Sequence, residues 1–140
     1  SQENTTKYKI LGINVEGAVS ADASTIIALT GLVEGEYISY PYDENLNVSI
    51  KSLWERRQFS DINIIVDKVV ADGVFLTIQV EENKRLSEIR VFNNKEVTTD
   101  EIKKAVGKNK GDVITEYDLY LIKKNIKALY DKEGLTFAKI

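Results

Sequence analysis

The chain has 140 residues, of which 43% are hydrophobic and 29% are charged, as is typical of a folded globular protein. It contains no cysteine, histidine or methionine, which excludes disulfides, thiol or imidazole catalysis, and metal sites built on nitrogen or sulfur ligands. Residues 1–82 carry six basic and thirteen acidic side chains, whereas residues 83–140 carry thirteen basic and nine acidic ones, so two units with different neighbours are expected.

The first half of the chain predicts a strand followed by two helices. Apolar residues alternate over residues 8–15, which is typical of a half-buried strand. A short helix follows, opened by Ser20 or Asp22 and ended by Gly31, where a positive φ is needed. Gly35 allows a second tight turn. After residues 41–43 a longer helix is expected, and its apolar stripe is Leu46, Ile50, Leu53 and Trp54.

Two further strands complete this half, joined by a turn at residues 71–73. Their predicted inner rows are Ile62, Ile64 and Val66 on one strand and Val74, Leu76, Ile78 and Val80 on the other. Asp61, Asn63 and Asp67 form the outer row of the earlier strand, which Ile65 interrupts. The predicted order is β-α-α-β-β, an α+β module with a three-stranded sheet and two helices on one face.

The second half predicts the same order of elements. Ile89 and Val91 indicate the first strand, and a capping-box pattern from Thr98 to Glu101 opens a helix. Gly107 ends that helix, Gly111 forms the next turn, and a second helix is expected from Thr115 to Gly134. A strand is expected to begin at Leu135. The rest of its hairpin is missing, so this copy is predicted to be incomplete and the native protein to continue beyond Ile140. The lack of any Met likewise predicts that the native start is missing.

The two halves are related by a constant offset of 76 residues. Residues 7–64 lie over residues 83–140 without a gap, and the identities combine two glycines with branched apolar residues. Identical pairs include Ile13 with Ile89, Ile26 with Ile102, Gly31 with Gly107, Gly35 with Gly111 and Ile50 with Ile126. The sequence therefore predicts a duplicated module: a tail at residues 1–7, a first domain at 8–82, and a second at 83–140 that lacks its final strand.

Four segments carry a resemblance to a known family: residues 29–36 (LTGLVEGE), 53–62 (LWERRQFSDI), 80–82 (VEE) and 86–95 (LSEIRVFNNK). Their order, together with the repeat, resembles tandem POTRA (polypeptide-transport-associated) domains, above all those of the BamA family of outer-membrane assembly factors. The chain departs from the family pattern at Gln58, where glycine is usual, and at residues 37–42, which are unusually rich in tyrosine.

The resemblance implies a periplasmic arm, attached in the full-length protein to the outer membrane through a C-terminal transmembrane β-barrel. Its implied partners are that barrel, unfolded outer-membrane proteins and accessory periplasmic lipoproteins. We expect no catalysis, cofactor or metal, because acidic pairs such as Glu34 and Glu36 are expected to be solvated carboxylates in loops. We expect no nucleic-acid partner, because arginine is scarce and no aromatic platform accompanies the lysines.

The family captures extended peptides on a sheet edge, where backbone groups bind a client whatever its side chains are. The implied partner-binding strand is Ser60, Asp61, Ile62, Asn63, Ile64, Ile65, Val66 and Asp67. Ile65 serves either as an apolar contact for a client or only for local packing. Tyr37, Tyr40 and Tyr42 form either a second partner patch or a loop folded over its own core.

The predicted interdomain hinge comprises Glu81, Glu82, Asn83, Lys84, Arg85 and Leu86. It contains no Gly or Pro, so limited rather than free motion is expected. Three alternatives remain open. In the first, the arm belongs to a two-partner secretion transporter or a TamA-like translocation-assembly protein. In the second, the chain is a cell-division scaffold of the FtsQ type. In the third, it is an enzyme that works through carboxylates.

Overall fold

A computed structural model describes residues 5–135 and residue 140, and the backbone divides into two units, residues 1–82 and 83–140. The elements of the first unit are β1 (Thr6–Glu16), α1 (Ala23–Thr30), β2 (Tyr37–Tyr40), α2 (Glu44–Trp54), β3 (Phe59–Val70) and β4 (Gly73–Glu82). Those of the second unit are β5 (Lys84–Arg85), α3 (Thr99–Val106), β6 (Val113–Ile114) and α4 (Glu116–Lys132). The predicted α+β class is confirmed.

The first unit contains a four-stranded sheet in the order β2-β1-β4-β3. β1 pairs antiparallel with β2 and parallel with β4, and β3 pairs antiparallel with β4. The three long strands are those that the sequence predicts, whereas β2 is a fourth strand that was not predicted. β1 also begins at Thr6, so Thr6 and Lys7 belong to the sheet and not to an N-terminal tail.

Helices α1 and α2 cover the face of this sheet that carries the predicted inner rows. Two groups of buried side chains join helices and sheet: Ile26, Leu53, Phe59, Ile62, Ile78 and Val80 in one, and Ile10, Leu32, Ile38, Val74 and Leu76 in the other. Burying each such side chain stabilises the fold by roughly 1.5–3 kcal/mol. The core therefore fixes β3 and β4 firmly against the helices.

The apolar stripe of α2 differs from the prediction at two positions. Ser49 is buried, and its hydroxyl lies 2.6 Å from the Thr30 carbonyl at the end of α1. That hydrogen bond satisfies a carbonyl that the end of a helix would otherwise leave unpaired. Trp54 is 42% exposed, so the expectation that its side chain belongs to the apolar stripe is wrong.

Local signals in the sequence set the helix ends. Asp22, rather than Ser20, caps α1 by accepting from the Thr25 N–H at 3.2 Å. Gly31 and Gly107 end α1 and α3 with φ angles of 73° and 65°, in the left-handed region. Thr115 and Asp118 form the reciprocal capping box at the start of α4.

The hydrogen bonds repeat with the same offset as the sequence. The Gly35 N–H donates to the Ile10 carbonyl at 2.8 Å, and the Gly111 N–H donates to the Leu86 carbonyl at 2.7 Å. The pairing of β5 with β6 likewise reproduces that of Tyr8 and Lys9 in β1 with β2. Helices α1 and α3 also have equivalent bounds. The duplication therefore extends to individual backbone bonds.

The second unit departs from the prediction in its strands. No strand forms at Ile89 and Val91, which are half-buried in irregular backbone. In the first unit the equivalent strand, β1, pairs with β4 over most of its length, whereas the pairing described in the second unit involves only residues 84–85 and 113–114 and does not reach Ile89. The strand expected from Leu135 falls on residues 136–139, which lie outside the described residues.

Candidate protein-binding edge

β3 forms one edge of the sheet in the first unit, and all eight residues of the predicted partner-binding strand lie in it. Ile62 is buried, and Ile64 and Val66 are half-buried toward the helices. Asp61, Asn63, Ile65 and Asp67 are exposed on the opposite face. The alternation inferred from the sequence is therefore the alternation of the folded strand.

The carbonyl of Val80 shows which backbone groups of β3 face outward. A Cβ placed on Gly17 would lie 1.9 Å from the Val80 oxygen, so this carbonyl points toward the β1 side of β4. Val80 is the register partner of Ile62. Because antiparallel partners alternate between bonded and non-bonded pairs, Ile62 and Val80 form a non-bonded pair. The backbone groups of Ile62, Ile64 and Val66 therefore point away from β4.

Two side-chain contacts agree with this assignment. The Ser60 hydroxyl donates to the Glu81 carbonyl at 3.3 Å, which places that carbonyl on the β3 side of β4, as alternation with Val80 requires. The Ile62 N–H donates to its neighbour's carboxylate, Asp61 Oδ1, at 3.0 Å. A backbone donor that bonds to Asp61 in this way is not engaged in the ladder with β4. The outward N–H donors thus belong to Ile62, Ile64 and Val66, and that of Ile62 is bonded to the Asp61 carboxylate.

The open face of the sheet beside this edge is partly apolar. Ile65 is 37% exposed and lies opposite Thr77, which is buried although its side chain points to the same face. Leu11 and Phe75 are also exposed there and line a shallow cleft of about 560 Å³ with Asn14, Asp67 and Lys68. Leu11 packs over Gly73 and Phe75 over Gly12, since a Cβ at either glycine would clash with them. Apolar surface therefore continues from the edge strand across the sheet.

The tyrosines lie at the other edge of the sheet, on and just after β2. Tyr37, Tyr40 and Tyr42 are 58%, 47% and 57% exposed, and Tyr40 packs edge-to-face on Tyr8 with ring centroids 6.3 Å apart. Ile38, between them, is buried and anchors β2 to the core. The tyrosines and β3 are therefore two separate surfaces and not one site.

The predicted hinge residues are largely held by the units on either side. Glu81 and Glu82 belong to β4, Lys84 and Arg85 form β5, and Leu86 exchanges two backbone bonds with Gly111 and Asp112. β4 ends at Glu82 and β5 begins at Lys84, so Asn83 is the residue between the two strands. Limited motion about this linker stays a prediction.

Glu82 holds the loop before α1 through several hydrogen bonds. Its carboxylate accepts from the N–H groups of Val19, Ser20 and Ala21, at 2.9 Å for Ser20, and from the Ser20 hydroxyl. Burial alone would raise the pKa of Glu82, but these hydrogen bonds outweigh it and hold the pKa below its usual value. From the sequence, Glu82 was predicted only as part of the hinge, because no local motif signals this contact.

The described residues offer little for other kinds of site. Within residues 5–135 and residue 140, no group of three acidic side chains is placed to hold a metal ion. No helix in this part of the chain has the length and apolar content needed to cross a membrane. The arrangement presents outward backbone groups and apolar surface, which suit contact with another polypeptide.

Comparison with known families gives a match over the second unit. Residues 84–140 match the sequence model of the POTRA family, described as a surface antigen variable number repeat. Residues 84–140 are therefore similar to a POTRA domain. A comparison with curated protein sequences found no match.

Solved structures extend the likeness to both units. The N-terminal domain of Omp85 from the thermophilic cyanobacterium Thermosynechococcus elongatus matches 91% of this chain, at 19% identity and a TM-score of 0.56. POTRA1-3 of the periplasmic domain of Omp85 from Anabaena matches 94%, at 17% identity and a TM-score of 0.54. POTRA3-5 of BamA from Haemophilus influenzae matches 97% of this chain and 59% of that one, at 16% identity and a TM-score of 0.50. At such identities the likeness establishes the fold.

The chain spans about half the length of the two Omp85 structures, since it covers 53% of each. The POTRA fold accounts for the order of long strands and helices in the first unit, and the family match covers the unit whose strands are short. The resemblance stated from the motifs is thereby confirmed.

Proposed function

We propose that the chain comprises two consecutive POTRA domains, residues 6–82 and 83–140, and serves as a non-enzymatic protein-binding arm. Its proposed setting is the periplasm, in a longer protein anchored in the outer membrane by a β-barrel. Its proposed clients are unfolded outer-membrane proteins, and accessory lipoproteins are further partners. The likeness to Omp85 and BamA structures supports this setting.

The observation that carries the proposal is the outward backbone of β3. Ile64 and Val66 direct N–H and carbonyl groups away from β4, and an extended client can bond to them as an added strand. The bonds depend on the client's backbone, which suits clients that share a tendency to form strands but no sequence. Each bond contributes only about 0.5–1.5 kcal/mol, so the client is held weakly enough to be released.

A proline at Ile64 tests this mechanism. Ile64→Pro removes one outward donor while leaving the bonds of Asn63 and Ile65 to β4, and proline is tolerated on an edge strand. We expect at least a tenfold weaker affinity for a strand-forming peptide, measured by fluorescence anisotropy with the whole chain. Ile64→Ala is the matched control, since it removes the same side chain and keeps the donor.

Circular dichroism establishes whether the proline variant folds, and Val66→Pro provides a second variant on the same edge. Equal binding by folded Ile64→Pro and Ile64→Ala would contradict capture at this edge. Loss of binding in both variants would show that the side chain, and not the backbone, holds the client.

A further inference from the structure

Asp61 lies where a client strand would begin to pair with β3. Its carboxylate accepts the Ile62 N–H at 3.0 Å, and the following outward donors belong to Ile64 and Val66. A charge-assisted bond of this kind is stronger than a bond between neutral groups. A client strand that pairs with β3 therefore finds the Ile62 N–H already bonded to Asp61. It can form backbone hydrogen bonds from Ile64 onward.

The residue opposite Asp61 on the neighbouring strand is also acidic. Its register partner across the strands is Glu81, and both side chains are exposed on the open face. Two like charges directly opposite each other in an antiparallel pair are destabilising. A cationic side chain placed beside them by a third strand would relieve that repulsion, whereas an anionic one would add to it.

Ile65 determines the position that such a cationic residue would occupy in the client sequence. Asp61 and Ile65 both point to the open face and are four residues apart, and their backbones face β4. Side chains of an added strand alternate in the same way, so the client residues beside Asp61 and Ile65 are also four apart and on one face. A spacing of three would put one of them on the helix side.

From these placements we propose that Asp61 sets the register and the charge preference of the edge. Its carboxylate occupies the Ile62 N–H, so that pairing starts at Ile64. It also selects extended segments in which a basic residue lies four positions from an apolar residue that packs on Ile65. This inference rests on the proposed function, because it describes which strands the same edge accepts.

Short synthetic peptides test the proposal directly. Each peptide alternates valine and threonine around one leucine, and carries lysine, glutamine or glutamate four positions from that leucine. We expect lysine to bind about two- to fivefold tighter than glutamine, and glutamate to bind weaker by a similar factor, as for an exposed ion pair at low salt. Moving the variable residue to three positions from the leucine should remove the difference.

Variants at Asp61 supply the decisive comparison. Asp61→Lys should reverse the order of the lysine and glutamate peptides, whereas Glu55→Lys, an equal change of charge at the exposed C-cap of α2, should leave the order unchanged. In hydrogen exchange followed by NMR, the peptide should protect the Ile64 and Val66 amides and leave the Ile62 amide as it was.

The possible failures can be told apart. If Ile64→Pro abolishes binding but the peptide order ignores Asp61→Lys, edge capture stands and the role of Asp61 is overturned. If Asp61→Lys and Glu55→Lys shift the order equally, the preference reflects net charge and the proposal is also overturned. If Ile64→Pro and Ile64→Ala bind alike, the proposed function itself fails.

Discussion

The two units carry the same repeat, yet their strands differ greatly in length. Helices α1 and α3 begin and end at equivalent positions, and the turn bonds of Gly35 and Gly111 are equivalent. β1 nevertheless has eleven residues, whereas its counterpart β5 has two. Helices and turns close their bonds locally, while a strand lasts only as far as its partners do. The positions of helices and turns therefore follow from the local sequence, whereas the length of a strand depends on its pairing partners.

The loops that precede the first helix of each unit show the same contrast. In the first unit, the carboxylate of Glu82, at the end of β4, holds the N–H groups of Val19 to Ala21. In the second unit, Asn94 holds its own loop by donating to the Val97 carbonyl at 3.0 Å and the Thr99 hydroxyl at 3.1 Å. A distant strand anchors one loop, and a side chain within the loop anchors the other.

The largest expected difference between the units is in their cores. Leu53 is fully buried, whereas Leu129, its equivalent in α4, is half-buried. We expect Leu53→Ala to lower the free energy of unfolding by about 3 kcal/mol and Leu129→Ala by about 1–2 kcal/mol. Denaturant unfolding followed through Trp54, the only tryptophan of the chain, reports the first unit, and hydrogen exchange in α4 reports the second. Equal losses would show that the second core is as tightly packed as the first.

A pair of equivalent turn residues gives the next effect. Gly17 and Asn93 both have a positive φ, 87° and 57°, but a Cβ on Gly17 would meet the Val80 carbonyl of β4 at 1.9 Å. Asn tolerates this backbone conformation, so Gly17→Asn measures mainly the clash with β4. We expect it to cost about 2–3 kcal/mol, measured by denaturant unfolding.

Two controls define that result. Asn93→Gly should change the stability of the second unit by less than about 1 kcal/mol. Gly31→Asn places the same residue at a φ of 73° with no atom within 4 Å of its Cβ, so its effect should also stay below about 1 kcal/mol. If Gly31→Asn cost as much as Gly17→Asn, backbone strain and not β4 would explain both.

The elements that were predicted correctly are those with a long local pattern or a local cap. Alternation revealed β3 and β4, and the capping side chains of Asp22, Thr98 and Thr115 marked three helix starts. β2 was missed because it has four residues and a single buried side chain, Ile38, so its pattern is too short to recognise. It forms because β1 is beside it.

The sequence predicts which side chains of β3 are exposed but not which of its backbone N–H groups point outward. Alternation separates Ile62, Ile64 and Val66 from the exposed row, yet it leaves open whether Asn63 or Ile64 has the outward N–H. That choice depends on the register of β3 with β4, which the Val80 carbonyl reveals. Glu82 was unpredictable for a related reason, because its partners lie more than sixty positions earlier in the chain.

The smallest expected effect concerns the Glu82 carboxylate, which anchors the loop of the first unit. The pKa of Glu82 is lower in the folded chain than its ordinary value of 4.5, so the carboxylate contributes stability above that pH, and the contribution is lost as the pH falls through the folded pKa. We expect Glu82→Gln to cost about 1–2 kcal/mol at pH 7, since several hydrogen bonds to a charged but partly solvated group are weakened. As the pH falls below 4.5, the difference between the variant and the parent should shrink.

Glu81→Gln is the matched control, because it removes an exposed carboxylate from the adjacent position of β4 and should change stability by less than about 0.5 kcal/mol. Urea unfolding followed through Trp54 at pH 7, 5 and 3 measures both variants. A Glu82→Gln difference that stayed constant down to pH 3 would mean that the shape of the side chain, and not its charge, holds the loop. The two units would then anchor their loops by the same means, a neutral hydrogen-bonding side chain, placed on β4 in one and within the loop in the other.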